Sequence, residues 1–258
     1  MDVAGVAFAT VLSQIFAAVC VILILTHEDE EFRLDFKKLK IDRAILARII
    51  KIGLPAGFQG MLFSFSNMII QSSVNSFGAV MVAGNSAAQS IEGFVYISMN
   101  SFAQGTLTFA GQNMGAHKLD RIKKLTVIAE AVVIIVGLSL GLTALFFGKN
   151  ILGIYSSNEQ VINAGMLRLR VILVTYFTCG MMDCMASAIR GVGHSVMPMI
   201  VTLVGACGLR MVYIFTFFQI PRFHSFQSIF YSYPLSWIVT FAFLTVSLVL
   251  LWKKLIKN

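Results

Sequence analysis

Runs of apolar residues recur seven times along the chain, near residues 3–25, 53–76, 83–105, 124–147, 162–188, 196–219 and 229–251. A helix rises about 1.5 Å per residue, so a run of this length can cross the roughly 30 Å hydrocarbon core of a bilayer. The pattern predicts an all-α membrane protein with seven transmembrane helices. The opening run has no basic stretch before it and no small-residue cleavage site after it, so it reads as a spanning helix rather than a signal peptide. The one long polar connection, HEDEEFRLDFKKLKIDRAILARIIK, follows that run. Its second half spaces Ile41, Ile45, Leu46, Ile49 and Ile50 at helical intervals with charges opposite, which predicts an amphipathic bridge along the membrane surface. Its acidic run from Glu28 to Glu31, beside His27, reads as solvated linker rather than a metal site.

Polar positions inside the apolar runs carry the candidate chemistry. In the second run Gln59, Asn67, Gln71 and Asn75 recur at multiples of four, with Phe63 in the vacant place. A step of four residues advances a helix by about 400°, so this seam drifts by roughly 160° over about 24 Å. Its middle, Asn67 with Gln71, is expected to meet a cavity, and Gln59 and Asn75 to serve packing nearer the ends. Interhelical amide bonds contribute only about 0.6 kcal/mol each and need one or two groups, so four amides favour a wet surface. In the third run Glu92 begins a stripe with Gln89, Tyr96, Asn100 and Gln104 that should line a cavity or another helix.

Ionisable groups at depth cost roughly 2.5–3.5 kcal/mol on insertion, which makes them functional candidates by default. Asp183 lies seven residues before Arg190, about 10 Å into the fifth run, and is the first choice, with a local contact to Ser187 as the alternative. Glu130 stands about two turns from Arg121, Lys123 and Lys124 and is expected to pair with them. Arg210, deep in the sixth run, is open to two readings: a structural pair with Asp183 or Glu92, or a resting-state ion pair that substrate or ion must displace. Pro55 reads as the first turn of the second span, and Gly57 and Gly60 as points of close contact or bending.

Composition narrows the class. The 258 residues are 57% hydrophobic and 12% charged, with a mean hydropathy of +0.83, which excludes an ordinary soluble domain. The net charge of +8 is unevenly distributed: 15 of the 20 Lys and Arg residues fall on one side of the predicted spans. They are Arg33, Lys37, Lys38, Lys40, Arg43, Arg48, Lys51, Lys118, Arg121, Lys123, Lys124, Arg190, Lys253, Lys254 and Lys257. That side, with the carboxyl terminus, is expected to be cytoplasmic, and the charge is a topology signal suited to anionic lipid rather than to nucleic acid. Lys149 and Arg222 lie opposite, with Arg168 and Arg170 at a span edge on that side. The four cysteines all fall within spans without metal or redox spacing and read as core residues. No phosphate loop, nucleophile motif or paired-carboxylate site appears, so no enzyme activity is expected, and no cofactor beyond a coupling ion.

The first and last spans share VLSQI (11–15) and PLSWI (234–238) at similar depth. This correspondence predicts residues 1–25 as the last helix of one six-helix lobe, 26–50 as a cytoplasmic amphipathic linker and 51–258 as a complete second six-helix bundle. Four stretches then carry a family resemblance: KIGLPAGFQGMLFSFSN, GQNMGAHKLDRIKK, ILGIYSSNEQVINAGMLRLR and IRGVGHSVMPM. In order and spacing they resemble the multidrug and toxic compound extrusion (MATE) family of antiporters across nearly all of residues 50–220. The resemblance implies twelve helices in two lobes, a cavity between them, and export of small organic cations in exchange for Na⁺ or H⁺ across the plasma membrane, in bacteria the inner membrane. On that template the chain supplies a carboxyl-terminal portion that needs the missing first lobe as partner and does not transport alone. Sodium-using relatives carry an acid about one turn before Asp183, near Cys179, and another near Phe63. The sequence therefore leaves either a lone Na⁺ site at Asp183 helped by amides, or a proton-coupled scheme. Two other readings stand beside the antiporter. One is a lipid-linked oligosaccharide flippase of the same superfamily, whose cavity should be lined by Arg and Lys, whereas the deep charges here read mostly acidic. The other is a half-transporter acting as a membrane partner.

Overall fold

A computed structural model describes residues 3–27, 33–36 and 40–255 of the chain. Lys37, Lys38, Lys257 and the acidic run from Glu28 to Glu31 lie outside the described residues. Two compact units result, Met1–Arg48 and Ile49–Asn258. The first contains α1 (Val3–His27), and the second holds the helical bundle. Among the described residues every regular element is helical.

Helix α2 (Arg43–Asn75) begins where Asp42 caps it: the Asp42 carboxylate accepts hydrogen bonds from the Ala44 and Ile45 amides at 2.7 and 3.1 Å. From there it runs unbroken, and this corrects two expectations. The amphipathic segment at 41–50 is not a separate surface helix, because its apolar spacing continues through Ile49 and Ile52 with no stop signal. Pro55 sits well inside the helix rather than in its first turn, where it removes one backbone hydrogen bond. Helix α3 (Ala79–Gly115) and helix α4 (Leu119–Phe146) follow, then a short α5 (Gly148–Tyr155). The fifth apolar run is two helices, α6 (Glu159–Thr175) and α7 (Phe177–Gly191), bent by 47° at Tyr176. The sixth run comprises α8 (Val196–Thr202), a π-helical turn (Leu203–Gly208) and α9 (Leu209–Phe215). Helix α10 (Phe226–Leu255) closes the chain.

Among the described residues, five stretches qualify as membrane spans by length and hydropathy: α1, α2, α4, the α8–α9 stretch and α10; the bent α6–α7 pair makes a sixth. The expectation of seven is not reached on this criterion. Helix α3 is 37 residues long, but the polar stripe that begins at Glu92 and Gln89 dilutes its hydropathy.

Helix α3 lies at the centre, packed against α4, α6 and α7, while α10 packs across α6, α7 and the π turn. Small residues permit these approaches. A Cβ on Gly84 of α3 would fall 2.6 Å from the Val161 carbonyl oxygen of α6, and one on Gly180 of α7 would fall 2.5 Å from Val133 Cγ1 of α4. Met99, Leu169, Ile172, Leu173 and Met182 fill the spaces between these helices and are almost completely buried. Burial of such side chains contributes about 1.5–3 kcal/mol each in water, whereas inside a bilayer close packing itself supplies the attraction. Helix α2 stands further off. Gly57 and Gly60, expected to mediate close contact, have nothing within 4 Å of where a Cβ would lie.

Candidate functional site

The gap between α2 and the rest of the bundle is a cavity of about 460 Å³. Gln59, Phe63 and Asn67 line it from α2, Tyr96, Asn100 and Gln104 from α3, and Asp183 and Arg190 from α7. Arg210, Tyr233 and Trp237 complete the wall from α9 and α10. A second cavity of about 240 Å³ adjoins it, sharing Asn67, Tyr96, Tyr176, Tyr233 and Trp237 and adding Gln89, Glu92 and Arg168. Five of the seven candidate residues, Gln59, Asn67, Gln104, Asp183 and Arg210, therefore meet in one space, and Glu92 lines its neighbour. Gln71 lines neither.

Local geometry explains how each side chain reaches its place. The π turn, LVGACG, widens the sixth span by one residue per turn and so shifts the register of α9 beyond it. Gly205 in that turn lies against Thr240 of α10, where a Cβ would collide with Thr240 Oγ1. Arg210, just past the turn, is buried. Its Nε donates to Ser236 Oγ at 2.9 Å and its Nη1 to Asn67 Oδ1 at 3.4 Å. Aromatic faces surround its guanidinium, with Tyr233 at 4.3 Å, Trp237 at 5.7 Å and Phe63 at 5.9 Å. The expectation that Arg210 pairs with Asp183 or Glu92 is corrected: its close polar partners are a hydroxyl and an amide, because α10 and α2 lie nearest on that side.

Glu92 already has a cation. Arg168 of α6 holds it through two parallel hydrogen bonds, Nε to Oε1 at 2.8 Å and Nη2 to Oε2 at 2.7 Å, and the pair is about 95% buried. Arg168 Nη1 donates further to Asn85 Oδ1 at 2.7 Å, Asn85 donates to Gln71 at 3.0 Å, and Gln71 donates to Asn75 at 3.0 Å. Phe230 and Tyr233 flank the same guanidinium at 5.0 and 5.6 Å. The expected place of Arg168 at a span edge is thus overturned. Arg168 and Arg170 stand two residues apart, on opposite faces of α6; the first shares the face of Ala164 and Ile172 and turns inward, and the second is exposed. That spacing was the available signal.

The seam on α2 also resolves differently from its reading. Gln59 accepts a hydrogen bond from Arg190 Nη2 and lines the cavity rather than serving only packing. Asn67 receives Arg210, and Gln71 is linked to Arg168 through Asn85. Three of its four amides thus connect to arginines. The picture of mostly acidic deep charges gives way accordingly: the two cavities hold Asp183 and Glu92 against Arg168, Arg190 and Arg210. Asp183 is the single carboxylate of the larger cavity, near the Tyr96 hydroxyl and within the fields of Arg190 and Arg210. Cys179 and Ser187 line the same wall of α7, one turn to either side of it. Glu130 lies beside Cys184 of α7, its two carboxyl oxygens buried without a hydrogen-bond partner. Its expected pairing with the basic cluster does not form; Lys123 instead reaches over the Trp252 ring at 5.5 Å. Among the described residues no group of three or more His, Cys, Asp and Glu side chains is arranged to hold a metal ion.

Comparison with known proteins identifies the family and the fold. Residues 55–216 match the MatE family. The probable multidrug resistance protein YoeA of Bacillus subtilis is 22% identical over 98% of this chain and 55% of its own length. The probable multidrug resistance protein NorM of Thermotoga maritima is 23% identical over 82% of this chain and 45% of its own. Among solved structures, that of MATE in complex with MaL6 superposes with a TM-score of 0.85, at 16% identity, over 98% of this chain and 57% of that one. An outward-facing multidrug resistance MATE transporter superposes at 0.72, over 78% of this chain and 44% of that one. The chain spans about half the length of the curated relatives it matches. It is a multi-pass membrane protein of a transporter family rather than an enzyme, and it belongs to the MatE family of multidrug and toxic compound extrusion proteins.

Proposed function

We infer that the chain forms the carboxyl-terminal lobe of a secondary exporter that moves organic molecules across the plasma membrane against an inward flow of Na⁺ or H⁺. One observation carries the reading: a single carboxylate, Asp183, faces a large cavity walled by amides, aromatic rings and two guanidiniums. Antiport needs one group that holds the coupling cation or the cargo, never both, and Asp183 is the group suited to that exchange. A proton suits it better than sodium. Sodium needs several oxygen ligands, and the position near Phe63 offers a ring instead of a second acid.

Those guanidiniums also refine the cargo. An organic cation that brings an acceptor group as well, such as a carboxylate or carbonyl, would satisfy Asp183 with one end and Arg210 or Arg190 with the other. The ring faces of Tyr233, Trp237 and Phe63 already hold Arg210, so a purely cationic cargo finds them occupied. The flippase alternative draws on the same three arginines, and its distinguishing outcome is lipid-linked sugar movement without ion-driven drug efflux. The test is transport by the full-length parent protein in vesicles under separately imposed sodium and proton gradients. Proton-driven efflux that Asp183→Asn abolishes, with expression unchanged, is the expected result. Efflux untouched by Asp183→Asn would remove the mechanism.

A further inference from the structure

A third space, about 520 Å³ and separate from the two cavities above, lies where the turn between α7 and α8 meets α2. Lys51, His194 and Ser195 form its polar end, and Val196, Ile200 and Val201 its apolar wall. Three observations distinguish it from ordinary surface. Ser195 lines the space and is 5% exposed, yet its buried hydroxyl has no hydrogen-bond partner. A buried hydroxyl left unpaired costs about 1–3 kcal/mol, which a bound acceptor would recover. Lys51 and His194 are both exposed, and no carboxylate among the described residues pairs with Lys51. His194 Nδ1 lies 3.3 Å from the Val192 carbonyl, at the edge of the space. Finally, the apolar wall continues up α8, where Val196 and Ile200 are half exposed in a stretch long and apolar enough to span a membrane.

A hydroxyl and a fixed positive charge at one end, with hydrocarbon at the other, match an acidic glycerophospholipid in both parts. We propose that this space binds the phosphodiester headgroup of an anionic membrane lipid through Lys51 and the hydroxyl of Ser195, with an acyl chain along Val196 and Ile200. The turn that carries Ser195 joins two apolar stretches, so the polar end lies at headgroup level. A free phosphate would use the same donors but would leave the apolar wall bare. The wall selects the lipid.

The test is native mass spectrometry of the purified chain in nonionic detergent with dioleoylphosphatidylglycerol, dioleoylphosphatidylcholine or inorganic phosphate. Phosphatidylglycerol should be retained preferentially. Lys51→Gln should weaken it by about fivefold, the equivalent of roughly 1 kcal/mol for one basic residue at a membrane surface. Ser195→Ala should weaken it as well, and Lys253→Gln on α10 should not. Lys51 is exposed, so its substitution leaves folding intact and the comparison stays readable. Equal retention of the two lipids, or no change in Lys51→Gln, would overturn the proposal. So would inorganic phosphate displacing phosphatidylglycerol at equal concentration, since that would mean that the wall adds nothing.

Discussion

At the scale of single residues, the interior is organised by arginines that the sequence disguises. Arg168 lies four residues after Ala164 on a face that is otherwise apolar, and only its partner, 76 positions away, shows why it can be there. The bidentate pair with Glu92 is a buried charge pair whose two halves depend on one another. Glu92→Gln should leave Arg168 uncompensated and lower stability by about 3–5 kcal/mol. Replacing both residues with glutamine should recover a large part of that loss. Thermal unfolding of the purified variants in detergent checks this, and equal midpoints for the single and double variants would show that the pair carries no such dependence. Asp183 differs from Glu92 in this respect. Its neighbours are a hydroxyl and two guanidiniums that already donate to amides, so its carboxylate stays available to an exchanging ion.

At the scale of elements, glycine and proline positions decide which helices touch. Helices α3 and α6 meet where Gly84 faces Val161, Ala164 and Gly165, leaving no room for a side chain. Gly84→Val should therefore destabilise the bundle by about 1–3 kcal/mol, because two of the three nearest atoms are backbone and cannot swing aside. Gly57→Ala on α2, with open space beyond it, should be neutral or stabilise the helix by up to about 1 kcal/mol. Chemical unfolding of the two variants side by side tests the contrast; a Gly84→Val protein as stable as the parent would mean that α3 and α6 are not held at this distance. The bend at Tyr176 and the π turn before Arg210 belong to the same scale. Both break a helix that the apolar pattern reads as continuous, and both deliver side chains into the cavity, Tyr176 itself and Arg210.

At the scale of the whole molecule, charge distribution sets the expected orientation. The third space brings Lys51 beside His194, as the side assignment of Lys51 and Arg190 requires. With the four native cysteines replaced, a cysteine at Lys118 or Lys253 should be shielded from a membrane-impermeant maleimide in intact cells. One at Lys149 should react. Labelling of Lys118→Cys and Lys253→Cys from outside would invert the proposed topology.

The sequence by itself determined the class of molecule, because twenty-residue apolar runs and a one-sided excess of basic residues are local properties that need no partner to be read. It also determined the polar stripe of α3 and the seam of α2, since helical periodicity alone puts Glu92, Tyr96, Asn100 and Gln104 on one side. The resemblance to the family rested on four motifs in register, which are equally local. Partners were another matter. Whether Gln59 meets a helix or an arginine, whether Arg168 lies at an edge or in the core, and whether Glu130 finds its lysines all depend on contacts between residues dozens of positions apart. Arg190 reaches Gln59 across 131 positions. Only the tertiary structure decided them, because a buried charge is fixed by whichever helix packing brings opposite it, and no periodicity records that.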